Sequence, residues 1–321
     1  MDSITQAALG AAIGEACLGK KIGNKGALLG AAVATIPDLD VFVLPLFSDL
    51  QRISVHRGYS HSIVVCLLLA VLLSVLMTKI KWTKVIAFQK LFLFASLTLI
   101  THVVLDAFTS YGTQLFLPFS DARVSFDSIN VVDPVYTLPL LIGLFFSLYW
   151  YKNSNQRPRY NYIGLAVSTV YLLATLGVKY QVQTQFQNAL AKEGVQYEKL
   201  ATFPVGVASI NWYGVAKSNQ GIYLAKYADI KEKKEPFTFF PTNDFLLNDL
   251  DPYLVDRMKW MAKDLYVVAK AEDYIRFYNL QCDMQGIRVE NGQKAPTAWY
   301  FKLIPKPQGV FEISTGMHPN N

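Results

Sequence analysis

Four apolar runs, at residues 62–77, 91–105, 135–150 and 162–178, constrain this chain more than any other feature. With their flanks included, each reaches the roughly 20 residues that a helix needs to cross a bilayer. Two shorter segments rich in small residues, 4–18 and 26–36, precede them. Gly10 and Gly14, then Gly26 and Gly30, have the small-xxx-small spacing that lets two helix backbones approach closely. The expected fold is mainly α: a polytopic transmembrane helical domain of about six spans, the first two short, followed by a small soluble α+β domain.

The division is expected near residue 180, giving a membrane-embedded domain over 1–180 and a second domain over 181–321. Apolar residues make up 52% of the 321, and the excess is concentrated before Lys179. Beyond it, "VGVASINWYGVAKS", "GIYLAKYADI" and "AWYFKLI" alternate like strands, with "SNQG" as a turn between the first two. "DPYLVDRMKWMAKDL" reads as a helix with Asp251 as its cap and Pro252 in its first turn.

The net charge of +6 does not point to nucleic acid, because the basic residues of the first half occur as short clusters between apolar runs. Lys20, Lys21 and Lys25, then Lys79, Lys81 and Lys84, then Lys152, Arg157 and Arg159 occupy alternate connections, which should be cytoplasmic. The intervening connections should face outward, and with six spans so should the C-terminal domain. The expected partner is therefore the lipid bilayer and no nucleic acid. Cys17, Cys66 and Cys282 are too far apart for a zinc ribbon or a disulfide framework and read as structural. The opening after Asp2 lacks a basic signal-peptide start and is expected to be retained.

Polar residues gather at the outward ends of these runs. His61 opens the third span, and His102 and Asp106, four apart, share one face at the end of the fourth. Asp38 and Asp40 follow Pro37, and in an extended segment that spacing points both the same way. His56 leads to His61, and Asp2 lies at the same end. Buried carboxylates and histidines at that depth are costly unless paired or bound to a cation. Asp2, Asp38, Asp40, His56, His61, His102 and Asp106 are thus the candidate ligands of one or two divalent metal ions, zinc suiting the donor types. Arg57 and Arg123 are the candidate catalytic groups, stabilising developing negative charge. Asp127 and Asp133 are candidate orienting acceptors, Glu15 a packing residue and His318 a solvated tail residue.

The segments "MDSITQAALGAAIGE", "PDLD", "HRGYSHS" and "THVVLDAFTSYGTQLFLPFS", with "DP" at Asp133, resemble the YdjM-like family of inner-membrane metal-dependent hydrolases over residues 1–150. The resemblance implies that the motif histidines and aspartates bind metal. Where the family pattern opens Asp-x-x-Thr-His, this chain has Gln6, a poor metal ligand. The expected activity is metal-dependent hydrolysis at the outer membrane face, with a phosphoester of a lipid or envelope precursor suiting that location. Two alternatives stay open: a non-catalytic metal-binding sensor or transport component, and an interaction scaffold.

Overall fold

The computed structural model describes residues 1–281, 287–290, 293–305 and 311–318; Cys282 lies outside them. The chain divides into two compact units, Met1–Leu44 with Val55–Leu176, and Pro45–Ser54 with Gly177–Asn321.

The first unit is helical. Helix α1 (Ser3–Ile22) packs on α2 (Lys25–Ala34), followed by a 3-10 segment (Pro37–Phe42), the short α3 (Asp49–Val55) and a 3-10 turn (Tyr59–His61). Helices α4 (Ile63–Lys79), α5 (Phe88–Phe108) and α6 (Pro134–Phe145) follow, α6 running into a π-helical turn at Phe146–Trp150. Helix α7 (Arg157–Lys192) closes the unit and continues past its boundary. Small residues set the α1/α2 crossing as the sequence spacing expects. A Cβ on Gly14 would overlap the Gly26 carbonyl, and one on Gly30 the Gly10 carbonyl. Gly143 and Gly164 make a second such crossing, between α6 and α7.

The outside of this unit is apolar and its inside is partly polar. Leu68, Leu72 and Leu76 of α4 are exposed, as are Ile142 and Phe145 of α6 and Val170 and Leu173 of α7, whereas Gln6, His61, His102 and Asp106 are buried. That inversion suits a hydrocarbon solvent. Six full spans are not what the helices provide. Phe88–Phe108 and Arg157–Lys192 are long and apolar enough to cross a membrane, and there are up to four candidates if two bent pairs each count as one. Those pairs are Lys25–Ala34 with Pro37–Leu46, bent by 46°, and Asp49–His61 with Ile63–Lys79, bent by 53°. Pro134–Trp150 is a shorter apolar helix. Glu15, Lys20 and Lys21 lower the apolar content of α1.

The helix ends sort by chemistry. At one end Arg157 forks onto Glu15 through two 2.6 Å bonds, and Lys25 lies 4.6 Å from the Trp82 ring centroid. At the other end Asp2 N donates to Val131 O, and Ile63 N to Leu115 O. Thr175 donates to Ser128 at this second end, so α7 leaves the unit there.

The second unit holds two four-stranded antiparallel sheets. One has the order β1-β2-β3-β4, from Lys199–Val205, Asn211–Lys217, Gly221–Lys226 and Thr238–Pro241. The other has the order β10-β9-β6-β5, from Phe311–Met317, Trp299–Pro305, Ile275–Asn279 and Tyr266–Lys270. A small hairpin pairs β7 (Arg288–Glu290) with β8 (Gln293–Ala295). After the short α8 (Asp229–Glu232), α9 (Pro252–Met261) starts at Asp251, whose carboxylate accepts from Tyr253 N and Leu254 N. Its buried face packs with Ile53, from the 45–54 excursion, against Phe277 and Leu303. His318 is not the solvated tail residue the sequence suggests: it is buried, with Nε2 2.8 Å from the Tyr278 hydroxyl.

Candidate metal centre

The centre is built where the end of α5 meets two 3-10 segments. His102 and Asp106 are one turn apart on α5 and point the same way. Thr109, at the C-cap, donates its hydroxyl to the Asp106 carbonyl, and Arg57 donates to Thr109 Oγ1 at 2.9 Å, so the helix end keeps partners for its last carbonyls.

Pro37 starts the 3-10 segment that carries Asp38 and Asp40. With about three residues per turn, positions two apart diverge by roughly 240° instead of aligning as in a strand. Asp38 therefore faces His61 and His102, while Asp40 faces the HRGYSHS loop. That loop folds around the Asp40 carboxylate. Arg57 N donates to Oδ2 at 3.0 Å, Ser60 Oγ donates to Oδ2 at 2.9 Å, and His56 Nδ1 lies 3.1 Å from Oδ1. Arg57 takes a left-handed φ of 56°, uncommon for a side-chain-bearing residue, where the loop reverses before Gly58.

Four donors converge: Asp38, His61, His102 and Asp106, with ligand atoms within 4.8 Å of one another. His61 Nε2 lies 3.4 Å from Asp38 Oδ1, 3.2 Å from Asp106 Oδ2 and 3.4 Å from His102 Nε2. His102 Nε2 lies 3.5 Å from Asp38 Oδ1 and 3.7 Å from Asp106 Oδ2. Donors held about 2.0–2.2 Å from a tetrahedral ion stand roughly 3.3–3.6 Å apart, so these separations match the edges of such a shell.

The proton inventory supports a cation in the middle. Ser60 gives its one hydroxyl proton to Asp40, so its oxygen accepts from His61 Nδ1 at 2.9 Å. In a neutral His61 this network leaves the lone pair on Nε2, aimed at two carboxylates and a second imidazole. Asp106 is polarised in the same sense. Its Oδ1 accepts from Gln6 Nε2 at 2.9 Å, lies 3.4 Å from Arg57 Nη2 and pairs with the Met1 ammonium. Its Oδ2, buried on the histidine side, has no hydrogen-bond partner among the described residues. With the Nε2 lone pair of His102 turned the same way, positive charge between these groups would stabilise them. A divalent ion fits the donor set.

The remaining candidates stand outside this shell. Asp40 and His56 form the layer behind His61, an arrangement that fixes a ligating imidazole's tautomer. Asp2 caps α1, accepting from Ile4 N and Thr5 N at 3.1 and 3.0 Å. Arg57 is buried against Asp106 and Thr109, and Arg123 donates to Tyr111 O. The Tyr111 ring gathers both guanidiniums, at 5.1 Å for Arg57 and 4.5 Å for Arg123, and the His56 ring at 5.4 Å. Asp133 caps α6 and accepts from Tyr171, and Asp127 accepts from Ser125. Glu15 packs through its ion pair with Arg157 and accepts from Ser147 Oγ at 3.3 Å. Sequence reasoning did not anticipate the parts taken by Gln6, Ser60 and Thr109. For Gln6 a signal exists: an amide one turn into an otherwise apolar helix has to find a buried partner.

Comparison with known proteins agrees with this architecture. A Bacillus subtilis (strain 168) protein named "Uncharacterized protein YfhP" is 29% identical over 201 residues, covering 60% of this chain and 59% of that protein. The chain thus spans under two thirds of that relative's length. No solved structure matches. The family described as "YdjM inner membrane protein" matches residues 1–182, which contain every donor of the centre, and the chain belongs to that family of membrane proteins.

Proposed function

We propose that this protein is a membrane-bound, divalent-metal-dependent hydrolase, with zinc as the ion and a phosphoester of a lipid or envelope precursor as the substrate class. The observation that carries the reading is the exposure gradient across the four donors. His61, His102 and Asp106 side chains are sealed, whereas that of Asp38 is 26% exposed, so the centre opens on one side. Asp38, His61, His102 and Asp106 would hold the ion, which would supply Lewis acidity toward a phosphoryl oxygen and make water there more acidic.

The chain's own residues then divide the work. Asp38 lines the entry for water and substrate. His56, 28% exposed and held through Nδ1 by Asp40, presents Nε2 as the proton carrier for a leaving group. Arg123, anchored over Tyr111, receives the anionic part of the substrate. Arg57 orients Asp106. The lysine-poor end that holds the centre faces outward, because the basic clusters lie at the opposite ends of the helices.

One observation favours a second reading. Four protein donors close a structural zinc site, whereas catalytic sites commonly use three and leave a position open. A metal-binding sensor or transport component fits that count. The deciding experiment is elemental analysis of detergent-purified protein, with hydrolysis assays on phospholipids, phosphomonoesters and phosphodiesters. Metal with cleavage that His56→Ala slows while metal is retained supports the enzyme. Metal without cleavage across the panel replaces it with the sensor or transport reading.

A further inference from the structure

The C-terminal unit carries a second concave site, unrelated to the metal centre. A cavity of about 1000 Å³ opens beside β5 and β6, at the upper end of the size range for small-ligand pockets. Tyr274, Arg276 and Tyr278 line it, and with the two-residue period of a strand they share one face of β6. The register with β9 sets Arg276 directly opposite Lys302. The two cations concentrate positive charge on this part of the sheet, and Arg276 brings it to the cavity wall.

The aromatic groups around this cationic pair are ordered. Tyr274 and Tyr300 rings lie 6.4 Å apart and 8° from parallel, with their hydroxyls 3.4 Å apart. The Arg276 guanidinium stands 5.1 Å from the Tyr300 ring centroid, and Lys302 Nζ stands 5.3 Å from that of Tyr274. Lys270 and Lys294 add positive charge to the wall, while Glu272 and Asp273 are exposed along it. The half-buried Tyr274 ring at the wall packs against the C–H face of a sugar, Arg276, Lys270 and Lys294 take its acid group, and the carboxylates accept its hydroxyls. A polymer of phosphates, lacking hydroxyl donors at such density, meets repulsion from the same two carboxylates.

We propose that this cavity binds an acidic saccharide, a sugar ring carrying a carboxylate. The test uses the full chain in detergent, with trigalacturonic acid as the probe and its neutral methyl ester as the control, followed by calorimetry. Wild type is expected to bind the acid and not the ester, with affinity falling as salt rises. Arg276→Gln and Tyr274→Leu are each expected to weaken binding at least about tenfold, a change of roughly 1.4 kcal/mol. Lys294→Gln, in the wall of the cavity, carries the test if either variant misfolds. No binding by wild type, equal binding of acid and ester, or unchanged affinity in the folded variants overturns the proposal. Tighter binding of an oligonucleotide of equal charge overturns the saccharide assignment. None of these readouts depends on metal occupancy.

Discussion

His61 and His102, both side chains buried, bring their Nε2 atoms to 3.4 Å of each other. Two imidazoles hold that approach beside two carboxylates when a cation takes all four lone pairs. The protein is therefore expected to copurify with a divalent ion, and His61→Ala or His102→Ala should each abolish stoichiometric occupancy, read by elemental analysis. Because the ligands bind as neutral imidazole and ionised carboxylate, protons compete with the ion. Affinity should therefore fall as pH drops. Occupancy independent of pH between about 5 and 8 would count against imidazole ligation.

Gln6 holds Asp106 by its other oxygen, donating to Oδ1 at 2.9 Å, and donates to His102 O at 3.2 Å. Gln6→Leu keeps the size of the side chain and removes both bonds. Loss of such an orienting partner typically costs about 10–100-fold in metal affinity. A chelator competition titration measures it, and an unchanged constant would mean that the amide does not orient Asp106.

Arg57 and a bound cation act on the same carboxylate from opposite sides. Removing one partner of a buried ion pair costs about 3–5 kcal/mol. Arg57→Gln should therefore lower the thermal midpoint of the metal-free protein strongly, and added zinc should recover more stability in the variant than in wild type. Equal zinc-induced shifts in the two proteins would separate Arg57 from the centre.

The α1/α2 crossing leaves no room for a side chain. Gly14→Leu would drive atoms into the Gly26 carbonyl, and overpacking of this kind costs typically about 1–3 kcal/mol, more where backbone must move. The folded yield in detergent should drop, while Gly177→Leu, at a position where a Cβ meets nothing within 4 Å, should leave it unchanged. A comparable loss from both substitutions would point away from close helix packing.

Orientation is testable with reporters that distinguish exported from cytoplasmic sites. A fusion at Asn153 should report cytoplasm, and one after Glu193, beyond the end of α7, should report export. The reverse pattern would put the centre on the cytoplasmic side and remove an outer-leaflet substrate.

Much of the centre was legible because its parts are local. His102 and Asp106 share a helical face at a spacing visible in the sequence, and His61 stands at the mouth of an apolar run. The division of labour between Asp38 and Asp40 was hidden, since it depends on whether the PDLD segment is extended or 3-10 helical, and the choice rests on what the loop packs against. The roles of Gln6 and Ser60 are tertiary and leave little trace in spacing. Six spans are not confirmed: two helices are long and apolar enough, up to four if the pairs bent by 46° and 53° each count as one, while Pro134–Trp150 is shorter and Glu15, Lys20 and Lys21 dilute the apolar content of α1. At the C-terminal side, α7 runs on to Lys192, through the point where composition changes.

The excursion Pro45–Ser54 has a kinetic consequence. It leaves the helical unit just after the two PDLD aspartates, contributes Ile53 to the core of the C-terminal unit, and returns just before His56. That core joins Ile53 to partners such as Leu254 and Leu303, some two hundred residues later in synthesis. Contacts of such sequence separation form late, because a long loop must close first. The loops bearing Asp38 and Asp40 on one side, and His56 and His61 on the other, thus adjoin a segment packed into a domain translated last, so ordering of the metal loops is expected to await completion of the chain. A fragment beginning at residue 181 would lack that early helical segment of its own core, and a truncation ending there would leave residues 45–54 without their partners.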